Sequence, residues 1–139
     1  MYKLTLIVGL FFLYSCNSSI NQEDLQKLNG YWEIKEVVLK DGTKKEYSVN
    51  TTVDFIKVDS LSGFRKKVDP KFNGTFETSD DAEPFDVLLE KEGILIQYHT
   101  ELASWTETLL SVSESSFSVK NQDGLIYKYE RYEPININP

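Results

Sequence analysis

Hydrophobic residues follow three rhythms along this chain. Between Leu4 and Leu13 nearly every position is apolar. Leu25 and Leu28 are then spaced at i, i+3, the interval of one helical face, with Asn21 placed to cap and Glu23 and Asp24 where a helix dipole favours negative charge. This predicts a helix over 22–29, ended by Gly30, which is free to take positive φ. Beyond Gly30 the helical period gives way to alternation among branched and aromatic residues. The alternation predicts strands at 31–39, 51–58, 63–68, 72–78, 85–91, 94–100, 105–112, 116–120 and 125–132, with a minor strand at 44–49. Asp41-Gly42, Glu92-Gly93 and Asp123-Gly124 supply tight turns, Asp69-Pro70 and Asn73-Gly74 break the third strand from the fourth, and residues 79–84 form a polar loop.

Many short strands joined by short connections predict an all-β fold. The expected architecture is an antiparallel up-and-down β-barrel with a short N-terminal helix, because closure removes exposed sheet edges. A two-sheet sandwich is the alternative, although sandwiches usually need longer crossing connections than this sequence offers. A length of 139 residues suits one domain. The expected organisation is a leader over 1–15, a polar tether over 16–22, the barrel over 23–134 and a tail over 135–139.

The first rhythm is a leader. Lys3, a short apolar run and a small residue before Cys16 make the grammar of an export signal. The run is well below the roughly 20 residues that a spanning helix needs. Leu13-Tyr14-Ser15-Cys16 resembles the lipobox of bacterial lipoproteins. The resemblance implies that Cys16, the only cysteine, takes a diacylglyceryl group and becomes the N-terminus after cleavage. Acyl chains add roughly 0.8 kcal/mol of membrane affinity per buried methylene, so two or three would hold the protein to a bilayer. A plain secretory signal with a chance cysteine is the alternative. Asn17 stands where an Asp would, in sorting of the enterobacterial kind, favour the inner membrane. The resemblance therefore implies a lipid-anchored protein of the cell envelope, at the outer membrane, on its periplasmic or its surface face.

The segment Leu28-Asn29-Gly30-Tyr31-Trp32 resembles the opening of lipocalins, a short helix followed by Gly-x-Trp entering the first strand. In that family an arginine near the end of the last strand packs over the tryptophan and closes the barrel, and Arg131 occupies the matching place. A guanidinium over an indole gains a cation–π contact and can donate to nearby carbonyls. The chain as a whole resembles the small lipocalin-like lipoproteins of Bacteroidota. The resemblance implies a closed barrel and the binding of a small hydrophobic ligand.

Alternation assigns an interior. If Trp32 points inward, so do Ile34, Glu36 and Val38; if Arg131 does, so do Tyr129 and Tyr127. Phe85, Val87 and Leu89 share one face, as do Ile94, Ile96 and Tyr98, and as do Trp105, Glu107 and Leu109. Phe55, Phe64, Phe76 and Phe117 complete the expected interior. Such a barrel is either a solid core or, in part, a cavity lined by aromatics with a few polar groups. The candidate ligand-binding residues are Phe55, Phe76, Tyr98, Trp105, Glu107, Tyr127 and Tyr129. If the barrel is filled, the expected role is instead a structural module that docks another envelope protein.

Charge and composition narrow the function. The formal charge is −7, and −8 once Lys3 leaves with the leader, which disfavours nucleic acid as a partner. A single cysteine rules out a disulfide within the chain. The sequence shows no Cys/His cluster, no calcium loop and no Gly-rich phosphate loop, so it points to no metal and no cofactor. Nothing marks a catalytic site either. His99 is the only histidine, and Asp80-Asp81-x-Glu83 most simply forms a solvated loop. Arg65-Lys66-Lys67 is most simply a solvated strand face.

Overall fold

The computed structural model describes residues 19–48, 50–78 and 81–134. The expected leader over 1–15, Cys16, the start of the tether and the tail over 135–139 lie outside the described residues. The i, i+3 leucines produce a short helix of the 3₁₀ kind, Gln22–Leu28, rather than an α-helix. At its start the Asp24 carboxylate accepts from the Asn21 N–H at 2.8 Å. Leu25 and Leu28 are buried.

Ten strands follow: β1 (Gly30–Val38), β2 (Lys44–Glu46), β3 (Val53–Asp59), β4 (Ser62–Pro70), β5 (Phe76–Thr78), β6 (Glu83–Glu90), β7 (Gly93–His99), β8 (Ser104–Val112), β9 (Ser116–Lys120) and β10 (Ile126–Arg131). Eight of them, β1, β3, β4 and β6 to β10, pair antiparallel in chain order, and β10 returns to β1 to close the ring. Closure leaves no free edge on the main sheet. β2 and β5 are short extensions paired with β1 and β4. The expected up-and-down barrel is the observed fold, and the sandwich alternative is excluded.

The helix packs against β3 and β8, and so lies across one end of the ring. Beneath it, Leu25, Leu28, Trp32, Ile56, Val58, Val87, Ile94, Ile96, Leu109, Phe117 and Val119 form one apolar bed. Trp32 is fully buried, with its ring edge-on to Phe117 at 4.8 Å.

Three expected faces are corrected. The β1–β10 register slips between Ile34 and Glu36, a bulge that turns the second half of β1 over. Val37 is therefore buried in place of Val38, and Glu36 faces outward, where Lys128 meets it at 3.3 Å. Phe55, Phe64 and Phe76 also lie outside. Asp54 and Arg65, their neighbours along β3 and β4, take the inner face. The three phenylalanines form an outer aromatic patch with Tyr31, which stacks on Phe76 at 4.1 Å and tilts against Phe55 at 4.9 Å. Leu89 shares the parity of Phe85 and Val87 but is half exposed near its strand's end.

Candidate functional site

Two groups of side chains organise the barrel, one at each level. The first is the seal. Gly30 adopts φ +126°, a backbone conformation that favours glycine, and a Cβ there would displace the Arg131 guanidinium. The β1–β10 register sets Trp32 opposite Arg131. The guanidinium carbon lies 4.1 Å from the centroid of the indole. Arg131 also donates to the carbonyls of Lys27 at 2.8 Å, Asn29 at 2.9 Å and Glu114 at 2.6 Å. Trp32 Nε1 donates to Leu28 O at 2.8 Å. One cation thus ties the end of the helix, the β8–β9 turn and the indole together.

The second group is an ionic cluster inside the barrel. Arg65 Nη2 donates to Asp54 Oδ2 at 2.7 Å and to the Tyr129 hydroxyl at 2.7 Å. Its Nη1 lies 3.5 Å from the Tyr98 hydroxyl and 4.0 Å from Glu107 Oε2. Lys67 reaches in from an exposed position to Asp54 Oδ1 at 2.6 Å. Five strands contribute: β3, β4, β7, β8 and β10. The expectation that Arg65 belongs to a solvated basic face is overturned, because its side chain is only 9% exposed and its partners all face inward.

Burial and charge set the ionisation of this cluster. Burial pushes the Asp54 carboxyl up, but the Arg65 and Lys67 charges outweigh it and hold the group below the usual carboxylate range. Burial likewise favours a neutral Arg65, yet the surrounding tyrosines and Asp54 keep it charged. Burial raises Glu107, Arg65 offsets this only in part, and Asp54 and Glu83 add to the rise. Burial carries the Tyr98 phenol up to about 12 and raises Tyr129 as well. Groups perturbed in this way occur in binding sites and in buried structural ion-pair networks alike.

Aromatics flank the cluster. Trp105 stacks on Tyr98 at 5.0 Å, and Tyr129 stacks on Phe117 at 4.6 Å. Trp105 and Tyr127 face inward yet are only partly buried. Glu107, on the same face of β8 as Trp105, keeps 13% of its side chain exposed. Of the candidate ligand-binding residues, the structure gathers Tyr98, Trp105, Glu107, Tyr127 and Tyr129 on the inner face, and places Phe55 and Phe76 on the outer wall. Pattern reasoning missed Arg65 and Asp54, because an inward charge breaks the apolar-in rule. The available signal was their offset on consecutive strands, where an inward Asp can answer an inward Arg. His99 sits outside, exposed, with Nε2 3.8 Å from Asp86. Among the described residues, no group of three or more His, Cys, Asp or Glu could hold a metal ion.

The closed eight-stranded ring, the helix across one end and the Trp32–Arg131 seal decide the fold type. The fold is lipocalin-like. A lipocalin-like protein from Bacteroides uniformis is similar at 15% identity, over 76% of this chain and 99% of its own, with a TM-score of 0.48. An uncharacterized protein from Bacteroides eggerthii is similar at 13% identity over the same shares, with a TM-score of 0.47. Apocrustacyanin C1 is similar at 8% identity, over 79% of this chain and 63% of its own, with a TM-score of 0.46. No protein-family profile and no curated protein matches the sequence.

Proposed function

We propose that this lipocalin-like barrel is a lipid-anchored binding protein of the cell envelope, which takes a small, largely apolar ligand into the end of the barrel opposite the Trp32 seal. The observation that carries the reading is the half-buried, inward-facing pair Trp105 and Tyr127 beside the Arg65 cluster. A barrel filled only for stability has little reason to hold a cation there, since a buried ion pair is often no better than apolar packing of the same volume. A polar floor under aromatic walls is instead the usual composition of a small-molecule site, where a few polar groups orient an apolar body.

Anchoring rests on the sequence between Lys3 and Cys16. Cys16 precedes Ile20, which packs on the core, by four positions, at most about 14 Å of extended chain. An acylated Cys16 would therefore hold the sealed end near the bilayer and leave the other end facing away.

The competing role, a filled barrel that docks an envelope protein, draws on Phe72 and Leu102, which are 88% and 98% exposed on turns at the end opposite the seal. Solvent extraction of the purified protein followed by mass spectrometry separates the two. A co-purifying small molecule at about one per chain supports the binder. A chain that yields none, and whose tryptophan emission does not respond to fatty-acid and retinoid panels, supports the docking module.

A further inference from the structure

The sequence holds two Asn-Gly pairs, Asn29-Gly30 and Asn73-Gly74, and the fold treats them differently. Asn29 follows the helix and leads into β1. Its Oδ1 accepts from the Val58 N–H at 2.6 Å, its Nδ2 donates to Gln26 Oε1 at 3.2 Å, and its carbonyl accepts from Arg131 at 2.9 Å. Gly30 is itself paired with Ile56 of β3. Asn73 lies in the β4–β5 turn, where residues 71–75 are all exposed. Its Oδ1 accepts from the Thr75 N–H at 3.1 Å and from Thr75 Oγ1 at 2.6 Å. Gly74 takes φ +82°, with open space where a Cβ would stand, and its N–H donates to Lys71 O at 3.1 Å.

We propose that Asn73 is a self-modification site, converting without an enzyme to aspartate and isoaspartate, while the fold keeps Asn29 in its original form. The reaction is attack of the Gly74 backbone nitrogen on Asn73 Cγ. Hydroxide takes the Gly74 amide proton, the N–Cγ bond forms, and the side-chain nitrogen leaves as ammonia with a proton taken from water. Water then opens the succinimide ring at either carbonyl, giving the aspartyl or the isoaspartyl link. The balance is one water consumed and one ammonia released, and nothing is oxidised or reduced. Three features favour Asn73. Glycine puts no side chain in the path of the attack. The two donors on Oδ1 draw electron density from Cγ and stabilise the negative charge that develops on that oxygen. An exposed turn opens locally at low cost, which frees the Gly74 N–H. Asn29 must instead give up Val58 and Gln26 before its Cγ can turn towards Gly30. Conversion adds a negative charge to the turn, and the isoaspartyl form adds a methylene to its main chain. That extra length works against the bonds that close the turn, Gly74 N–H to Lys71 O and Lys71 N–H to Thr75 O at 2.8 Å. The change therefore falls beside Phe72, the 88% exposed side chain that the docking role draws on.

Peptide mapping by mass spectrometry tests this on the full-length Cys16→Ala chain, incubated at pH 8 and 37 °C. The expected result is a gain of one mass unit in the peptide that carries Asn73, split into two chromatographic products. Its rate should exceed that of the Asn29 peptide at least about tenfold, since Asn29 must first break several hydrogen bonds. A parallel incubation in guanidinium chloride should bring the two rates together, because the protection of Asn29 belongs to the fold. Equal rates in the folded chain overturn the proposal, as does an Asn73 that stays intact there. A rate difference that persists unchanged in guanidinium chloride overturns it too, since local sequence would then set the difference. The comparison needs no substitution at either pair, so it does not depend on how a variant folds.

Discussion

Asp54 and Arg65 show how one buried pair can set the faces of two strands. Neither looks interior beside its neighbours: Asp54 sits between Val53 and Phe55, and Arg65 sits between Phe64 and the lysines Lys66 and Lys67. Apolar patterning alone sends the phenylalanines inward. The structure does the reverse because the outer wall is itself covered, Phe76 of β5 stacking on Tyr31, while the inner charges satisfy one another. Removing one partner is then the expensive change. Asp54→Asn strips the counter-charge from a buried guanidinium and should cost about 3 kcal/mol in urea denaturation. The pH dependence has two opposed parts. Asp54 has a lowered folded pKa, so its contribution is present above the unfolded value of about 3.9 and is lost as pH falls through the folded one. Glu107 has a raised folded pKa, so the folded chain binds its proton more tightly and stability falls as pH rises from about 4.3 through the raised value. Glu107→Gln should therefore be more stable than the parent at pH 7, and this advantage should vanish near pH 4 in parallel denaturation series.

At the scale of elements, the legible parts were those with a strict period or a recognisable motif. β6 alternates up to Val87 and β8 up to Leu109, so Phe85, Trp105 and Leu109 fell on the expected face, whereas Ile94-Leu95-Ile96 in β7 is apolar on both faces and its pattern alone does not orient the strand. Gly30, Trp32 and Arg131 were legible through the resemblance of the Gly-x-Trp opening and the terminal arginine to those of lipocalins, and the structure brings the three together. β1 was legible only up to Ile34, since a bulge leaves no mark in the hydrophobic pattern yet reverses every side chain after it. β5 shrank from an expected 72–78 to Phe76–Thr78 because residues 71–75 are spent on a turn, where Thr75 N–H donates to Asn73 Oδ1. The seal can be tested as an element. Arg131→Ala removes three donors to carbonyls and the cation over the indole, and should cost roughly 2 kcal/mol. Amide exchange should accelerate in the helix Gln22–Leu28 and the β8–β9 turn well before β6 and β7 are affected.

For the whole molecule, the account joins an anchor, a seal and an interior site along one axis. Cys16→Ala should move the protein from the membrane fraction to the soluble fraction, and loss of acyl label should accompany it; a variant still held in the membrane would remove the lipid-anchor proposal. The barrel itself is independent of that outcome. Its central claim is that a small molecule binds within the ring beside Arg65, and not on the outer aromatic patch. Amide chemical-shift mapping of the Cys16→Ala chain, titrated with 1-octanol, measures this directly. The account predicts saturable shifts at Tyr98, Trp105, Glu107 and Tyr127. Shifts confined to Tyr31, Phe55 and Phe76, or no saturable shifts at all, would contradict it.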